Sequence, residues 1–344
     1  MVPPPFHHDR HPERSEGRVL VSRTDRIGDV VLTLPLCGLL KARGHRVVFL
    51  GRRYTRAVLE ACDAVDEIVE WDDAASRGAA RDLLAATRAD VVLHVKPNTA
   101  VAWAALQARV PLRVGTSRRA LHWLLCNRLE PVARKDSPLH EAQLNVRLAR
   151  ALLDAETLAY DATRLARYGA LRARVPVPDT LRALVGGGRF TLVVHPRSGG
   201  SAAEWPLGHW SALVRLLAPE RFRVLVTGSA AEGAALRPWL DAQPPHVHDV
   251  TGRTDPRELL ALLAAADGFV AGSTGPLHVA AALGTRALGL FSPRRPIHPG
   301  RWAPIGVRAE VLVGERTGDS AADDLAAIAP ESVAARVFEW AGGR

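Results

Sequence analysis

The chain has 344 residues, 47% hydrophobic and 24% charged, which is the composition of a globular protein and a length sufficient for two domains. Lys and Arg exceed Asp and Glu by 45 − 36 = 9, and this surplus is spread along the chain beside only three tyrosines. A nucleic-acid surface would combine a basic stripe with stacking aromatic side chains, so that class is disfavoured. No apolar run approaches the roughly 18 residues of a membrane span.

The start of the chain and the cysteines indicate the compartment. Residues 1–17 are polar and lack the apolar segment of a secretory signal, so we expect a disordered tail. Cys37, Cys62 and Cys126 are far apart and show no Cys-x-x-Cys spacing, which disfavours a metal site and a disulfide framework. Both observations fit the reducing cytoplasm. The net charge of +9 favours anionic partners, although an arginine-rich coding bias explains it equally well.

Strand-like and helix-like segments alternate from residue 18 onward. The predicted strands of the first half are Arg18–Ser22 and residues 46–50, 67–70 and 91–95, with 112–115 as a further candidate. The predicted helices are residues 30–42, 55–61, 77–87 and 140–153, the first with an irregular turn near Pro35. This alternation predicts a parallel, doubly wound sheet.

The alternation restarts after a section rich in Pro and Gly, residues 169–189, which we interpret as a linker. The predicted strands of the second half are residues 190–195, 223–227, 268–271 and 287–291. The predicted helices are residues 207–217, 230–240, 256–266, 278–283 and 330–341. The chain is therefore expected to contain two Rossmann-like halves.

Residues 272–284 are predicted to form a tight turn and a helix behind a buried strand. Their sequence is Gly-Ser-Thr-Gly-Pro-Leu-His-Val-Ala-Ala-Ala-Leu-Gly. Pro276 suits the first helical turn, and Gly284 stops the helix. Backbone N–H groups and the helix dipole at such an N-terminus bind anions. The stretch is either a phosphate site or an ordinary turn between strand and helix, and His278 within it is either catalytic or structural.

Other loops lie beyond the predicted carboxyl ends of strands, where ligands bind in open α/β sheets. Asp29, after the first strand, is either a general base or a residue that complements the helix dipole. Residues 195–200 can form a backbone nest for phosphate, and Arg197 adds positive charge. Trp205 either stacks on a base or packs against the sheet. No Gly-x-Gly-x-x-Gly fingerprint follows the first strand, which counts against a nucleotide-dependent oxidoreductase.

Together these segments resemble glycosyltransferase family 9, the ADP-heptose:lipopolysaccharide heptosyltransferases, over nearly the whole chain after the tail. The ordered series of matches, rather than any one of them, supports the resemblance. The matching segments are Arg26-Ile-Gly-Asp-Val-Val-Leu-Thr-Leu-Pro35, Arg113-Val-Gly115, His140-Glu141, His195-Pro-Arg-Ser-Gly-Gly200, Trp205-Pro206, Thr227-Gly228 with Glu232, Thr251-Gly-Arg-Thr254, Gly275-Pro-Leu-His-Val-Ala-Ala-Ala-Leu-Gly284, Leu290-Phe291, and Trp302 with Pro304.

The resemblance implies a GT-B fold, in which two Rossmann-like, doubly wound parallel-sheet domains face a cleft. It divides the chain into a tail (1–17), an acceptor-binding domain (18–168), a linker (169–189), a nucleotide-sugar-binding domain (190–329) and a terminal helix (330–344). The terminal helix is expected to pack back toward the first domain.

The family also implies roles for individual residues in a reaction that inverts the anomeric centre without a metal or cofactor. Asp29 corresponds to the base for the acceptor hydroxyl, with Arg26 and Gly28 on the acceptor side. The implied donor-binding residues are Arg197, Ser198, Gly199, Gly200, Ser201, Trp205, Thr227, Gly228, Glu232, Thr251, Gly252, Ser273, Thr274, Gly275 and His278.

Two positions depart from the family pattern. A lysine that usually stands two residues before the Trp-Pro pair and meets the diphosphate is Ala203 here, and it is followed by Glu204. An aspartate that usually precedes Ser/Thr-Gly-Pro is Ser273 here. One cation and one anion are thus missing from one small site, which leaves the donor sugar open.

These residues predict an inverting, metal-independent glycosyltransferase that moves a sugar, heptose from ADP-heptose by the resemblance, to a lipopolysaccharide-core or related envelope glycan. The expected partners are the nucleotide-sugar donor, a glycolipid or oligosaccharide acceptor, and the inner face of the cytoplasmic membrane, contacted peripherally. Nucleic acid is not expected. The alternative is a catalytically degenerate member that only binds a nucleotide sugar or glycan; Ala203 and Ser273 favour it, and the retained Asp29 opposes it.

Overall fold

The computed structural model describes residues 17–71, 76–134, 138–200 and 202–343. The predicted tail, apart from Gly17, lies outside the described residues, and so does Ser201. The described chain forms two parallel sheets of six strands each, joined by helical crossovers. The predicted doubly wound α/β architecture with two Rossmann-like halves is therefore confirmed. None of the described helices is long and apolar enough to cross a membrane.

The first sheet has the order β3-β2-β1-β4-β5-β6, and all its strand pairs are parallel. Its central strands are runs of Val and Leu because helices cover both faces. The strands are β1 (Arg18–Ser22), β2 (Arg46–Gly51), β3 (Glu67–Glu70), β4 (Val91–His94), β5 (Leu112–Thr116) and β6 (Arg128–Glu130). The helices from here to the second sheet are α1 (Ile27–Val31), α2 (Leu34–Ala42), α3 (Arg56–Glu60), α4 (Arg77–Ala86), α5 (Thr99–Gln107), α6 (Ala120–Leu125), α7 (Glu141–Leu148), α8 (Ala155–Leu158), α9 (Ala162–Leu165) and α10 (Asp179–Arg182).

The second sheet is also parallel, with the order β12-β11-β10-β7-β8-β9. Its strands are β7 (Phe190–His195), β8 (Phe222–Val226), β9 (Val247–Asp249), β10 (Gly268–Gly272), β11 (Arg286–Phe291) and β12 (Ala309–Val313). Its helices are α11 (Leu207–Leu216), α12 (Ala230–Leu240), α13 (Pro256–Ala265), α14 (Gly275–Ala282), α15 (Pro299–Trp302), α16 (Ala321–Ala326) and α17 (Pro330–Gly342).

The strand order reverses at one point in each sheet, between β1 and β4 and between β7 and β10. Loops diverge at such a switch point and leave a crevice where ligands bind. The loop after β1 leads into α1, and the loop after β10 leads into α14. These two helices pack against each other, so the two crevices face one another.

The irregular turn predicted near Pro35 is a break between α1 and α2. Thr33 lies between the two helices, and its hydroxyl donates to the carbonyl oxygen of Asp29 (2.8 Å). Pro35 stands in the first turn of α2, where its missing N–H is not needed. The break limits α1 to a short segment that carries Asp29 in its first turn.

The predicted helix over residues 140–153 is too long. Helix α7 ends at Leu148, and the chain turns at Ala149, whose ψ of 21° is outside the helical range. A new helix then starts after Asp154, which accepts a bond from the backbone N–H of Thr157 (2.7 Å). Apolar spacing continues through the turn because Ala149 and Leu153 within it are still buried, and periodicity alone therefore overestimated the length.

The terminal helix packs on the second half, not toward the first domain as the family resemblance implied. The indole of Trp340 is buried over Gly268 of β10, and its N–H donates to Glu310 of β12 (2.9 Å). Val333 and Val337 lie on the same face as Trp340 and are fully buried. This apolar stripe covers one face of the second sheet, beside α11.

Replacing Trp340, which is 6% exposed, tests this docking. We expect Trp340→Ala to lower the free energy of unfolding by about 3 to 5 kcal/mol, because it opens a cavity beneath the helix. Trp123→Ala is the matched control, since that indole is 64% exposed. Denaturant unfolding of both variants checks the prediction, and equal losses would contradict it.

Candidate active site

A cavity of about 510 Å³ lies between the two halves, at the carboxyl ends of both sheets. It brings together residues from α1 and its preceding loop, from α14 and its loop, and from the segment after β11. The residues that line it are Arg26, Ile27, Gly28, Asp29, Tyr54, Gly199, Ala202, Ala203, Ser273, Thr274, Gly275, Pro276, His278, Leu290, Phe291, Ser292, Pro296, Ile297, Arg301, Trp302 and Leu325.

Two glycines allow α1 and α14 to touch at the floor of this cavity. A Cβ at Gly28 would lie 2.8 Å from Cδ2 of His278, and a Cβ at Gly275 would lie 3.1 Å from Cβ of Ile27. Both distances are shorter than ordinary van der Waals contacts between carbon atoms. Any side chain at Gly28 would therefore push the two helices apart.

Asp29 is held by a guanidinium. Its carboxylate contacts Arg23, whose Nε also donates to Asp25 (2.7 Å) and whose Nη1 donates to Glu141 (3.0 Å). Burial raises the pKa of Asp29, the neighbouring carboxylates of Asp25 and Glu141 raise it further, and Arg23 offsets part of the shift. The side chain keeps 16% of its surface exposed and faces the cavity. Asp29 is thus a fixed carboxylate with increased basicity.

Glu141 lies behind this pair and connects the two halves. Its carboxylate is fully buried and accepts bonds from Arg23, from Arg134 (3.3 Å) and from Arg301 of the second half (3.0 and 3.2 Å). Burial alone would raise the pKa of Glu141, but the three guanidinium groups outweigh it and hold the pKa below its ordinary value. Glu141 is therefore ionised, and its charge is matched within the site.

The N-terminus of α14 forms the opposite wall. No side chain caps this helix at Thr274, and Pro276 contributes no N–H group. The hydroxyl of Thr274 is buried and makes no hydrogen bond to any described residue. Unsatisfied N–H groups, the positive end of the helix dipole and a hydroxyl without a partner together form a site for an anion.

His278, on the first turn of α14, is buried behind this wall. Burial lowers its pKa to about 3, and the proximity of His140 contributes in the same direction. The imidazole is therefore neutral at physiological pH. The ring contacts Gly28 of the first half, so His278 helps to pack the two halves together.

The loop after β7 is occupied by the carboxylate of Glu204. Its Oε2 accepts a bond from Arg197 (2.8 Å), and its Oε1 accepts bonds from the backbone N–H (2.8 Å) and hydroxyl (3.1 Å) of Ser198. Of the predicted residues here, Gly199 lines the cavity and Arg197, Ser198 and Gly200 do not. Glu204 thus occupies one backbone N–H of the predicted phosphate nest, that of Ser198, together with the charge of Arg197.

Five further predicted donor residues do not line the cavity and have local partners. Glu232 and Ser229 cap α12 by reciprocal side-chain to backbone bonds (2.7 and 3.2 Å). The hydroxyl of Thr227 bonds to Nδ1 of His195 (3.0 Å), and that of Thr251 donates to Asp249 (2.6 Å). Gly252 has φ +66° and donates its N–H to the carbonyl of Gly228 (2.9 Å).

Trp205 packs in the core and does not line the cavity, which is the packing alternative of the two that the sequence left open for this residue. Its side chain is 2% exposed, its ring lies 4.8 Å from that of Trp210, and its N–H donates to the carbonyl of Ile328 (3.1 Å). The indole finds both apolar contact and a hydrogen-bond partner inside the second half, which is the usual outcome for tryptophan.

Several residues of the site were not among the predicted ones. Glu141 and Trp302 belong to matched family segments but carried no assigned role, and Arg134, Arg301 and Tyr54 had no distinguishing pattern. In a chain with this many arginines, those that bind a buried carboxylate cannot be separated from solvated ones by spacing. The signal that was available is Glu141, a carboxylate directly after the histidine that caps α7.

Comparison with known proteins identifies the family. The family model described as "Glycosyltransferase family 9 (heptosyltransferase)" matches residues 77–324. This chain belongs to glycosyltransferase family 9. It is 25% identical over 303 residues to a putative glycosyltransferase of Haemophilus influenzae, covering 84% of this chain and 86% of that protein. A shorter match, 32% over 101 residues, is to lipopolysaccharide heptosyltransferase 2 of Escherichia coli and covers 28% of this chain and 29% of that enzyme.

Solved structures confirm the GT-B fold of this glycosyltransferase. A family 9 glycosyl transferase from Veillonella parvula superposes with a TM-score of 0.77 at 16% identity, covering 96% of this chain and 99% of that one. The ADP-heptose lipopolysaccharide heptosyltransferase II of E. coli superposes with a TM-score of 0.75 at 23% identity, covering 95% and 99%. At these identities the structures establish the fold alone.

The charge network between the halves can be tested by its effect on stability. Glu141→Gln should lower the free energy of unfolding by about 3 kcal/mol, because it leaves buried guanidinium groups without their counterion. Glu60→Gln is the matched control, since Glu60 also joins the halves, through Arg257 (2.7 and 2.9 Å), but does so at the surface. Chemical denaturation should show a much smaller loss for the control; similar losses would contradict the assignment.

Proposed function

We propose that this glycosyltransferase moves a sugar from a nucleoside-diphosphate donor to a hydroxyl of a lipopolysaccharide-core or related envelope glycan, with inversion and at the cavity between its halves. The observation that supports this most directly is a basic carboxylate, Asp29, facing an uncapped helix N-terminus across a single cavity. A displacement that releases a diphosphate needs both features. Heptose from ADP-heptose is the proposed donor, because a relative is named lipopolysaccharide heptosyltransferase 2 and a structural neighbour is named ADP-heptose lipopolysaccharide heptosyltransferase II.

The proposed donor site uses the residues of the second half that line the cavity. The diphosphate would lie at the N-terminus of α14, against Thr274 and Gly275, with Ser273, His278 and Gly199 around it. Arg26 and Arg301 also line this space and add positive charge. The first half, residues 18–168, would hold the acceptor, and residues 190–329 would hold the donor.

In the proposed reaction Asp29 removes the proton from the acceptor hydroxyl as that oxygen attacks the anomeric carbon. The new C–O bond forms on the face opposite the diphosphate while the bond to the diphosphate oxygen breaks, which inverts the centre. The leaving group takes both electrons of that bond, and the N–H groups of α14 and nearby arginines stabilise its charge. Asp29 returns its proton to solvent.

The second candidate is a binding protein of the same fold without turnover. Ala203 lines the cavity where the family has a lysine, and Glu204 neutralises Arg197 beside it. Both features weaken a diphosphate clamp. Titration with ADP-, GDP- and UDP-sugars, with release of nucleoside diphosphate followed in the presence of acceptor lipid, separates the two candidates. Binding of a donor without any turnover would select the second.

Asp29→Asn tests the proposed base. We expect turnover to fall by roughly 10²- to 10⁴-fold with little change in donor affinity, since the amide cannot accept the proton. Asp25→Asn is the matched control, because Asp25 bonds to the same Arg23 but does not line the cavity. Rates of nucleoside diphosphate release and calorimetric donor affinities decide the outcome. Undiminished turnover by Asp29→Asn would sink the proposal.

The acid limb of the pH–rate profile should also report the ionisation of Asp29. Its pKa is raised, so protonation should remove activity at a higher pH than for an ordinary aspartate, whose pKa is about 4. Asp25→Asn removes a negative charge that raises this pKa, so the acid limb should move to lower pH in that variant. Turnover measured from pH 4 to 8 checks the direction; a shift to higher pH would contradict it.

A further inference from the structure

The short helix α6 exposes an unusual amount of apolar surface. Leu121 is 47% exposed, Trp123 64% and Leu124 76%, and the three side chains lie within four consecutive residues. Isolated exposed apolar side chains are normal on soluble proteins, whereas a contiguous group of large ones marks an interaction surface. We call residues 118–124 the α6 patch.

The exposure is not the result of a loosely attached segment. His122, on the inner side of α6, accepts a hydrogen bond from the backbone N–H of Thr116 (3.0 Å). Arg113 donates to the carbonyl oxygens of Leu125 (2.9 Å) and Val110 (2.7 Å), which ties the end of the helix to β5. The indole N–H of Trp123 donates to the carbonyl of Ser117 (3.0 Å), so its ring is oriented as well as exposed.

Positive charge surrounds this apolar surface. No Asp or Glu occurs between Asp90 and Glu130, although that stretch contains six Lys and Arg residues. Arg118 and Arg119 open the patch, are exposed, and form no ion pair with any described residue. A tryptophan and leucines flanked by uncompensated arginines match the composition of a surface that inserts into the headgroup region of an anionic bilayer.

The patch lies on the side of the molecule where the cavity opens. Helix α6 follows the carboxyl end of β5, and β5 is separated from β1 by β4 alone. With strands about 4.8 Å apart, β5 lies roughly 10 Å from β1, whose carboxyl end leads to Asp29. A membrane that contacts the patch would therefore approach the acceptor side of the cavity.

We infer that the α6 patch docks the protein on an anionic phospholipid surface, with Trp123 and Leu124 inserted and Arg118 and Arg119 on the headgroups. One part of the inference rests on the proposed function: docking would bring a lipid-linked acceptor to the site. The docking itself needs no donor and no turnover.

Vesicle binding by the full chain, without donor, tests the inference. Vesicles of phosphatidylglycerol and phosphatidylethanolamine should sediment the protein, and vesicles of phosphatidylcholine should do so much less. Arg118→Gln with Arg119→Gln should weaken binding to the anionic vesicles by roughly tenfold or more, at about 1 kcal/mol for each arginine. Trp123→Ser with Leu124→Ser should weaken it by a similar factor.

Matched controls come from the second half. Val307→Ser removes an equally exposed apolar side chain, and Arg215→Gln with Arg316→Gln removes two exposed charges. These controls should bind as the parent does. If the apolar variant fails to fold, as judged by thermal unfolding, the arginine pair still decides the question.

Three results would overturn the inference. The parent protein could fail to bind anionic vesicles, or the patch variants could bind them as tightly as the parent. Alternatively, the patch could join two copies of the chain. The last would appear in sedimentation velocity as a concentration-dependent dimer that Leu124→Ser abolishes. An inactive protein that binds vesicles through the patch would refute the transferase proposal alone, and an active one that ignores them would refute the docking alone.

Discussion

The buried carboxylate of Glu141 connects the fold to the chemistry. It binds Arg23 and Arg134 of its own half and Arg301 of the other, and Arg23 in turn holds Asp29. A buried carboxylate costs several kcal/mol to desolvate, and only partners on both sides of the cleft compensate that cost here. The relative position of the halves and the position of Asp29 therefore depend on the same group of charges.

The contact between α1 and α14 imposes a second constraint. Gly28 meets His278 and Gly275 meets Ile27 at distances that exclude a side chain at Gly28 and leave little room at Gly275. The helix that carries the proposed base is thereby placed directly against the helix that carries the proposed anion site. Neither glycine has a positive φ, so what the positions require is absence of bulk, not backbone freedom.

The sequence predicted the features that depend on residues close together in the chain, such as strands and loops. It did not predict the features that depend on contacts between residues far apart in the chain. Continuous apolar runs predicted the ends of most strands to within one or two residues, because parallel strands covered by helices on both faces are apolar along their whole length. The order of motifs located the loops at the switch points, including Asp29 and Thr274. The sequence could not decide whether Trp205 stacks on a ligand or packs in the core, since a tryptophan side chain suits both environments. The docking of α17 could not be placed either, because its apolar stripe does not specify which surface it covers.

The loop after β7 shows where the chemistry of this chain departs from the family pattern. With Ala203 in place of a lysine and Glu204 bonded to Arg197, the second half contributes N–H groups but little net positive charge to the cavity. The arginines that do line the cavity are Arg26, from the first half, and Arg301, whose partner Glu141 is in the first half. A diphosphate bound at α14 would therefore draw its cationic support from Arg26, across the cleft, and from Arg301 of the second half, whose charge is shared with Glu141 of the first half. In this chain, donor affinity should be coupled to how closely the two halves meet, a dependence that a lysine within the second half would remove.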